Sequence, residues 1–499
     1  MTNTLTDAST YPISPDTARH LARPLFGHVI DGEVVPSADG ATMPVIDPAT
    51  GQQVAVAAAG SAPDVERAAA SARAAFDDGR WWRLAPLEKE RRLRNLARLL
   101  AERAETFAEL DVIDSGLLKF YEGFIVQFAI DGIEYYAGWP TKLEGSIPAV
   151  PTDFAVYQQR EPIGVLGLIT PWNGPTSVFA FVAAALAAGN SVVLKPAEQT
   201  PMAAVLMAEL ALEAGIPPGV FNVVQGTGPD AGAALVLSRN VDAVSFTGSV
   251  ATGQAIQAAA ATRLKRVSLE LGGKSPLIVF PDADLDSAAA TAMAAVWGAA
   301  GQVCTVASRL LVHRSVHDKL VEKIVEASRD MRLGSGFDPQ SQMGPLVSAA
   351  QLERVQRYVT YGQEDGADLV LGGQRHGDVG YFHQPTIFTS VRNDMRIAQE
   401  EIFGPVMSIL PFESEDEAYD IANDTTYGLA AGVWTNDLSL AHRASRALRT
   451  GTVWVNTYQM VYPTVPYGGV KHSGHGRNLG AASLDDLTQI KSVWMKVNG

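Results

Sequence analysis

The sequence predicts an α/β protein made of two α/β domains and a small β extension. Three observations carry this reading. From residue 161 onward, short apolar runs alternate with helical stretches, the pattern of a parallel sheet covered by helices. The pair Gly272-Gly273 separates two such alternating sections. Two further segments, FAVYQQREPIG and IKSVWMKV, read as extended chain suited to adding strands at a sheet edge.

The elements follow in order. The first 24 residues are polar with no apolar centre, so they are expected to form a mobile arm and not a secretory signal. HVIDGEVV and ATMPVIDPATGQQVAVAAAG read as short strands and turns. Two long helices come next, and the second, LEKERRLRNLARLLAER, sets Leu93, Leu96 and Leu100 on one face. IGVLGLIT is a buried strand leading through PWNGP into an apolar helix. SVVLKP is the next strand, and Thr200-Pro201 suits an N-cap followed by the first helical position. FNVVQG and AVSFTG are strands ending in glycine, the second followed by a helix cap at Ser249. Beyond the glycine pair, PLIVF is a strand and DLDSAAATAMAAVWGAA a helix running towards Cys304. RLLVH, VMSILPF, LAAGVWT and TVWVN supply the later strands.

Composition narrows the function. A net charge of -15 argues against a polyanion binder, which would carry a basic face, so no nucleic-acid partner is expected. The longest apolar stretch, Ser177 to Ala188, is alanine-rich and broken by Gly189-Asn190, which fits a buried helix and not a membrane span. Cys304 is the only cysteine, which excludes an intrachain disulfide framework and a cysteine-based zinc site. A reducing cytoplasm is the expected location, and no metal site is expected.

Several residues offer chemistry, each beside a plainer alternative. Cys304 in GQVCT is either a small buried hydrophobe or a nucleophile. Gly301 permits close backbone approach there, and Gln302 is an unusual core residue. In RVSLELGG, Val267, Leu269 and Leu271 take one face of a strand and Glu270 the other, as a surface carboxylate or a general base. Asn173 in TPWNGP is a turn asparagine or an amide donor to a developing oxyanion. Lys195 and Glu198 stand at the carboxyl end of a strand, as solvated charges or as ribose ligands. A carboxylate there would repel a 2′-phosphate. The turns GTGPDAG and FTGSVATG are not the usual dinucleotide fingerprint.

Together the pieces resemble the aldehyde dehydrogenase superfamily. TPWNGP, LKPAEQTP, GIPPGVFNVVQGTG, FTGS, LELGGKSP, GQVCT, EEIFGPV and PYGGVKHSGHGR occur in the family's order over residues 27 to 497. The resemblance implies a Rossmann-like cofactor domain (25–140 and 161–272), an α/β catalytic domain (273–480) and a β oligomerisation arm (141–160 and 481–499), behind an N-terminal arm of residues 1–24. It implies that Cys304 is the catalytic thiol, Glu270 the general base and Asn173 the oxyanion donor. Lys195 joins that catalytic set and, with Glu198, contacts the adenosine ribose. Ile169, Trp172, Gly228, Gly232, Phe246, Gly248, Ser249 and Leu271 match the cofactor crevice, and Glu401 and Phe403 the nicotinamide-ribose side. The cofactor implied is NAD, preferred over NADP on account of Glu198. The reaction implied passes from a thiohemiacetal to a thioester, which water then cleaves. A homodimer or homotetramer is the implied assembly.

Three positions depart from common family patterns. Val303 stands where some members carry a second cysteine, Asn478 where Glu is frequent, and DSGLLKFY lacks the usual Gly-Lys-Pro. Gly174, Val178, Phe181, Val303, Val461, Tyr462 and Tyr467 are the expected substrate-tunnel positions, mostly apolar or aromatic. With no arginine among them to clamp a carboxylate, a medium-sized aliphatic or aromatic aldehyde is expected. The competing readings are a Cys-Glu-Lys amide or nitrile hydrolase, a coenzyme A acyl-transferring relative, and a non-catalytic structural or binding protein on the same fold. Retained Glu270 argues for water over coenzyme A as the acceptor.

Overall fold

The computed structural model describes residues 11–497. Its first sheet has eight strands, in the order Gly474–His475, Arg266–Leu271, Ala243–Gly248, Val165–Ile169, Ser191–Lys195, Phe221–Val223, His28–Ile30 and Glu33–Val35. The five from Arg266–Leu271 to Phe221–Val223 are parallel, and antiparallel strands close both edges. Val165–Ile169, Ser191–Lys195 and Phe221–Val223 are buried at every position, as expected for strands covered by helices on both faces. Register makes the carboxyl ends nearly flush: Ile169 pairs with Lys195 and Phe246, and Leu271 with Gly248. A ligand-binding edge therefore collects residues from four strands.

The second sheet has seven strands, in the order Asp368–Leu371, Thr386–Thr389, Val406–Phe412, Arg309–His313, Pro276–Val279, Ala430–Trp434 and Thr452–Val455. All pairings are parallel except the one at Asp368–Leu371. Each sheet has its own apolar packing, around Leu166, Leu194 and Phe221 in the first and Leu277, Leu310 and Ile409 in the second. A separate ribbon pairs Phe154–Pro162 with Thr488–Lys496, antiparallel from Phe154–Lys496 to Pro162–Thr488. Phe154 and Trp494 meet edge to face at 5.8 Å on it, while Ile490 and Trp494 stay exposed. No helix among the described residues is long and apolar enough to cross a membrane.

Three expectations differ from the structure. Within the N-terminal stretch expected to be mobile, Pro15–Leu21 is a helix. Ser14 caps it, and Glu109 binds it by accepting from the Ser14 N–H at 2.9 Å and the Thr17 hydroxyl at 2.6 Å. The cap-then-proline signal Ser14-Pro15 is a helix start that the polar composition obscured. The first ten residues of that stretch lie outside the described residues. Gly474–His475, counted with the second domain, pairs instead with Leu269 and Glu270 in the first sheet. Any side chain at Gly474 would run into the Leu269 carbonyl, so glycine is what admits this strand. The helix after Ser191–Lys195 is Met202–Glu213, with Pro201 and not Thr200 in the N-cap place.

Candidate active site

The helix Leu285–Trp297 aims the chain at Cys304. Asp284 starts it by accepting from the Asp286 and Ser287 N–H groups, a cap worth about 1 kcal/mol. The chain then turns through Ala300 (φ 51°) and Gly301 (φ 71°), where a larger residue would collide with the Gly404 carbonyl. Gln302 is fully buried with its amide used at both ends. Its Nε2 donates to the Ala299 and Pro345 carbonyls at 3.3 Å, and its Oε1 accepts from the Val347 N–H at 2.9 Å. This polar core residue pins the turn that carries the thiol. Asn173 Nδ2 donates to the Gln302 carbonyl at 2.8 Å, and the Tyr458 hydroxyl to the Thr305 carbonyl at 2.9 Å. The Cys304 sulfur lies 3.1 Å from the Tyr467 hydroxyl oxygen.

Cys304, Asn173 and Glu270 line one cleft, together with Ser249, Glu401 and Phe403. Glu270 is 5% exposed, and neither of its carboxylate oxygens has a hydrogen-bond partner. Burial drives its pKa well above the ordinary carboxylate range; the charge of Arg477 opposes this and that of Asp486 adds to it. Burial likewise pushes the Cys304 thiol up to about 11, eased by the Tyr467 hydrogen bond and reinforced by Glu401 and Glu270. Burial makes a carboxylate at this position a stronger proton acceptor than one in water, the property base chemistry requires.

Glu401 accepts from the Gly273 N–H at 3.0 Å, and burial raises its pKa to about 7. A side chain at Gly272 would collide with the Glu401 carboxylate. Phe403, at φ 61°, meets Trp172 edge to face at 5.2 Å. Two residues not foreseen from sequence hold this stretch. Gln351 Nε2 donates to the Phe403 carbonyl at 2.7 Å, and Arg354 donates to the Ile402 carbonyl at 3.2 Å and to that of Glu401. Both lie on the helix Ala349–Glu364, three residues apart on one face. That spacing is the only local signal; nothing in the chain ties them to residues 401–403.

Lys195 does not line the Cys304 cleft. Its ammonium donates to the Pro196 carbonyl at 2.6 Å and the Gly226 carbonyl at 2.8 Å, and Glu198 stands 3.5 Å away. It is therefore spent on its own strand end, and no Cys-Glu-Lys set is assembled. Gly232 packs over the Lys195 stem and Ile169, Gly228 faces open space, and Glu198 borders a neighbouring crevice with Thr227. Ser249 caps Val250–Ala261, accepting from the Thr252 N–H, and the helix start opens on the cleft. Phe246 and Leu271 form the apolar floor beneath, 6% and 5% exposed.

Of the expected tunnel positions, Val461, Tyr462 and Tyr467 line a second cavity with Trp454, Met460 and Val465. Val303 is half-buried beside Cys304. Gly174, at φ 147°, lies next to Ser177 and Ile125. Val178 is buried in the first core. Phe181 is elsewhere: it lines a different cavity with Tyr136, Leu168 and Asn478. The helix Phe179–Ala187 presents Phe179 to Phe107, and two residues further its turn has carried Phe181 round towards Val165–Ile169.

Residues 34–493 match the family model described as the aldehyde dehydrogenase family. The chain is 45% identical to aldehyde dehydrogenase family 2 member B4, mitochondrial, of Arabidopsis thaliana, over 94% of this chain and 88% of that one. Its fold matches the NAD+ complex of aldehyde dehydrogenase from Bacillus cereus with a TM-score of 0.96 at 40% identity, covering 98% of this chain and 100% of that one. It matches an indole-3-acetaldehyde dehydrogenase of P. syringae with a TM-score of 0.93 at 43% identity, covering 96% and 98%. The chain belongs to the aldehyde dehydrogenase family, oxidoreductases that convert aldehydes to carboxylic acids with a nicotinamide coenzyme.

Proposed function

We propose that this enzyme oxidises medium-sized aliphatic or aromatic aldehydes to carboxylic acids through a Cys304 thiohemiacetal and thioester, with NAD preferred as acceptor. The observation that carries the reading is the meeting of a thiol, a buried unpartnered carboxyl and a side-chain amide in one cleft. Cys304, as thiolate, adds to the aldehyde carbon. One Asn173 amide hydrogen is held by the Gln302 carbonyl, which leaves the other for the oxyanion beside the Cys304 N–H. Glu270 takes the thiol proton and later that of the water cleaving the thioester, directly or through another water.

The coenzyme suits the residues present. The open turn at Gly228 and the capped helix start at Ser249 offer backbone N–H groups to a diphosphate. Glu198 suits ribose hydroxyls and disfavours a 2′-phosphate. Glu401 and Phe403 hold the nicotinamide ribose, and Ile169, Trp172, Gly232, Phe246, Gly248 and Leu271 shape the crevice. Bound NAD supplies the hydride acceptor. The cavity with Trp454, Val461 and Tyr462 supports an apolar substrate, and the relative acting on indole-3-acetaldehyde fits an aromatic one. The exposed ribbon ending in Ile490 and Trp494 supports a homodimer or homotetramer, and the single thiol suits a reducing cytoplasm. The test is coenzyme reduction across short, long, aromatic and carboxylated aldehydes with NAD and NADP. The reading requires the best kcat/KM on an uncharged aldehyde with NAD; a preference for a carboxylated aldehyde or for NADP contradicts it.

A further inference from the structure

We propose that the Tyr467 hydroxyl donates its hydrogen to the Cys304 thiolate, which makes Tyr467 a catalytic residue holding the reacting sulfur charged and aimed. The inference rests on Cys304 being the nucleophile. The oxygen and sulfur are 3.1 Å apart, and that geometry alone leaves the donor open. The surroundings decide it. The charged groups facing the sulfur are Glu270, from the strand Arg266–Leu271, and Glu401, from the loop ahead of Val406–Phe412; both disfavour a thiolate. Tyr121 and Tyr458 complete the titratable groups around it. Once Glu270 holds the thiol proton, Glu401 still faces the sulfur, and a thiolate buried beside it needs donors. The Thr305 N–H is one and the Tyr467 phenol the other. A thiol is a weak donor and a phenol a good one, so the hydrogen belongs on oxygen.

The segment carrying Tyr467 is built for this approach. Its N–H donates to the Asn478 carbonyl at 2.7 Å, and its carbonyl accepts from the Asn478 N–H at 2.8 Å, which fixes the backbone. The next residue, Gly468, passes so close to Glu270 that a Cβ would lie 2.6 Å from its Oε1. One short stretch thus touches both nucleophile and base. Tyr467 also lines the apolar cavity with Trp454 and Tyr462, so this one residue borders that cavity and contacts the sulfur. In the step itself the S–H bond breaks and its proton passes to Glu270. The tyrosine O–H stays intact and points at sulfur. The sulfur lone pair then forms the C–S bond, the carbonyl π pair moves to oxygen, and the tyrosine hydrogen bond weakens as sulfur loses its charge.

The experiment compares wild type with Tyr467→Phe by the rate of iodoacetamide alkylation against pH. Cys304 is the sole cysteine, so the label is unambiguous. The midpoint should rise by about one unit, a tenfold loss of thiolate at fixed pH. The kcat/KM for the aldehyde should fall in parallel, with the KM for NAD unchanged. A midpoint that stays put, or falls because the thiol had been the donor, overturns the proposal. Tyr467→Leu also lacks the donor and must move the midpoint the same way, which guards against a packing effect of the first variant. If wild type shows the alkylation shift relative to both variants but oxidises no aldehyde, the hydrogen bond stands and the reading of the reaction falls.

Discussion

Asn173→Ala separates the chemical work of the cleft from its scaffolding. The side-chain nitrogen spends one hydrogen on the Gln302 carbonyl at 2.8 Å and keeps one for the oxyanion. Loss of an oxyanion donor costs about 10²–10³ in kcat, about 2.7–4 kcal/mol. Loss of the neutral anchor to Gln302 costs about 1 kcal/mol of stability. The Gln302 side chain, bonded to Ala299, Pro345 and Val347, still holds the turn, so Cys304 should stay in place. The assay pairs steady-state coenzyme reduction with alkylation of Cys304 and a thermal melt. The rate should fall by about 100–1000-fold. Alkylation should change by no more than about fivefold, the ratio ~1 kcal/mol allows. A rate loss below about tenfold, or an alkylation rate that falls in step with turnover, would refute the assignment of Asn173 to the oxyanion.

Two further outcomes follow from charges elsewhere. Glu198→Gln removes the carboxylate facing a 2′-phosphate; at this partly exposed position that repulsion is about 1–2 kcal/mol. The ratio of kcat/KM for NADP over NAD should rise about 5–30-fold, and an unchanged ratio would free Glu198 of any part in coenzyme choice. Asp111, Asp114 and Glu122 are buried together, and burial raises Asp111 to about 7. Since its folded pKa exceeds the unfolded one, the folded state holds more protons between about pH 4 and 7. Stability is therefore lost as pH climbs through that window, by up to about 4 kcal/mol from Asp111. Asp111→Asn keeps an acceptor for the Thr176 N–H at 3.2 Å. It should stabilise the protein at about pH 8 and leave it nearly unchanged at about pH 4, as read by denaturant unfolding; equal effects at both would contradict the burial argument.

Much of the fold is legible because it is local. Parallel strands buried on both faces must be short apolar runs, and glycine just ahead of them marks the turns, so Val165–Ile169 after Gly164 and Ser191–Lys195 after Gly189 are readable from the sequence. Gln302 is an anomaly in sequence, and its three side-chain hydrogen bonds explain it. What escaped the sequence depends on contacts between distant segments. Gly474–His475 joins the first sheet through pairing with Leu269 and Glu270, which no two-residue stretch advertises. Gln351 and Arg354 matter only because their helix lies beside carbonyls 401–403. Phe181 is expected in the substrate tunnel, while the helix turns it towards the first sheet, a rotation set by packing and not by local sequence. The resemblance places Lys195 in the catalytic set, while in the structure its ammonium donates to the Pro196 and Gly226 carbonyls.

The central claim is that Cys304 carries the acyl group and Glu270 releases it. The most direct measurement is the intact mass of Glu270→Gln after mixing with NAD and an aldehyde that wild type oxidises. Glutamine keeps the shape of the side chain but cannot take a proton from water. Because Glu270 also takes the thiol proton, acylation should slow, but hydrolysis should slow more: one acyl group should build up on Cys304, with NADH formed in proportion to enzyme and little turnover after that. Steady turnover with no adduct, or an adduct that persists in Cys304→Ala, would contradict it.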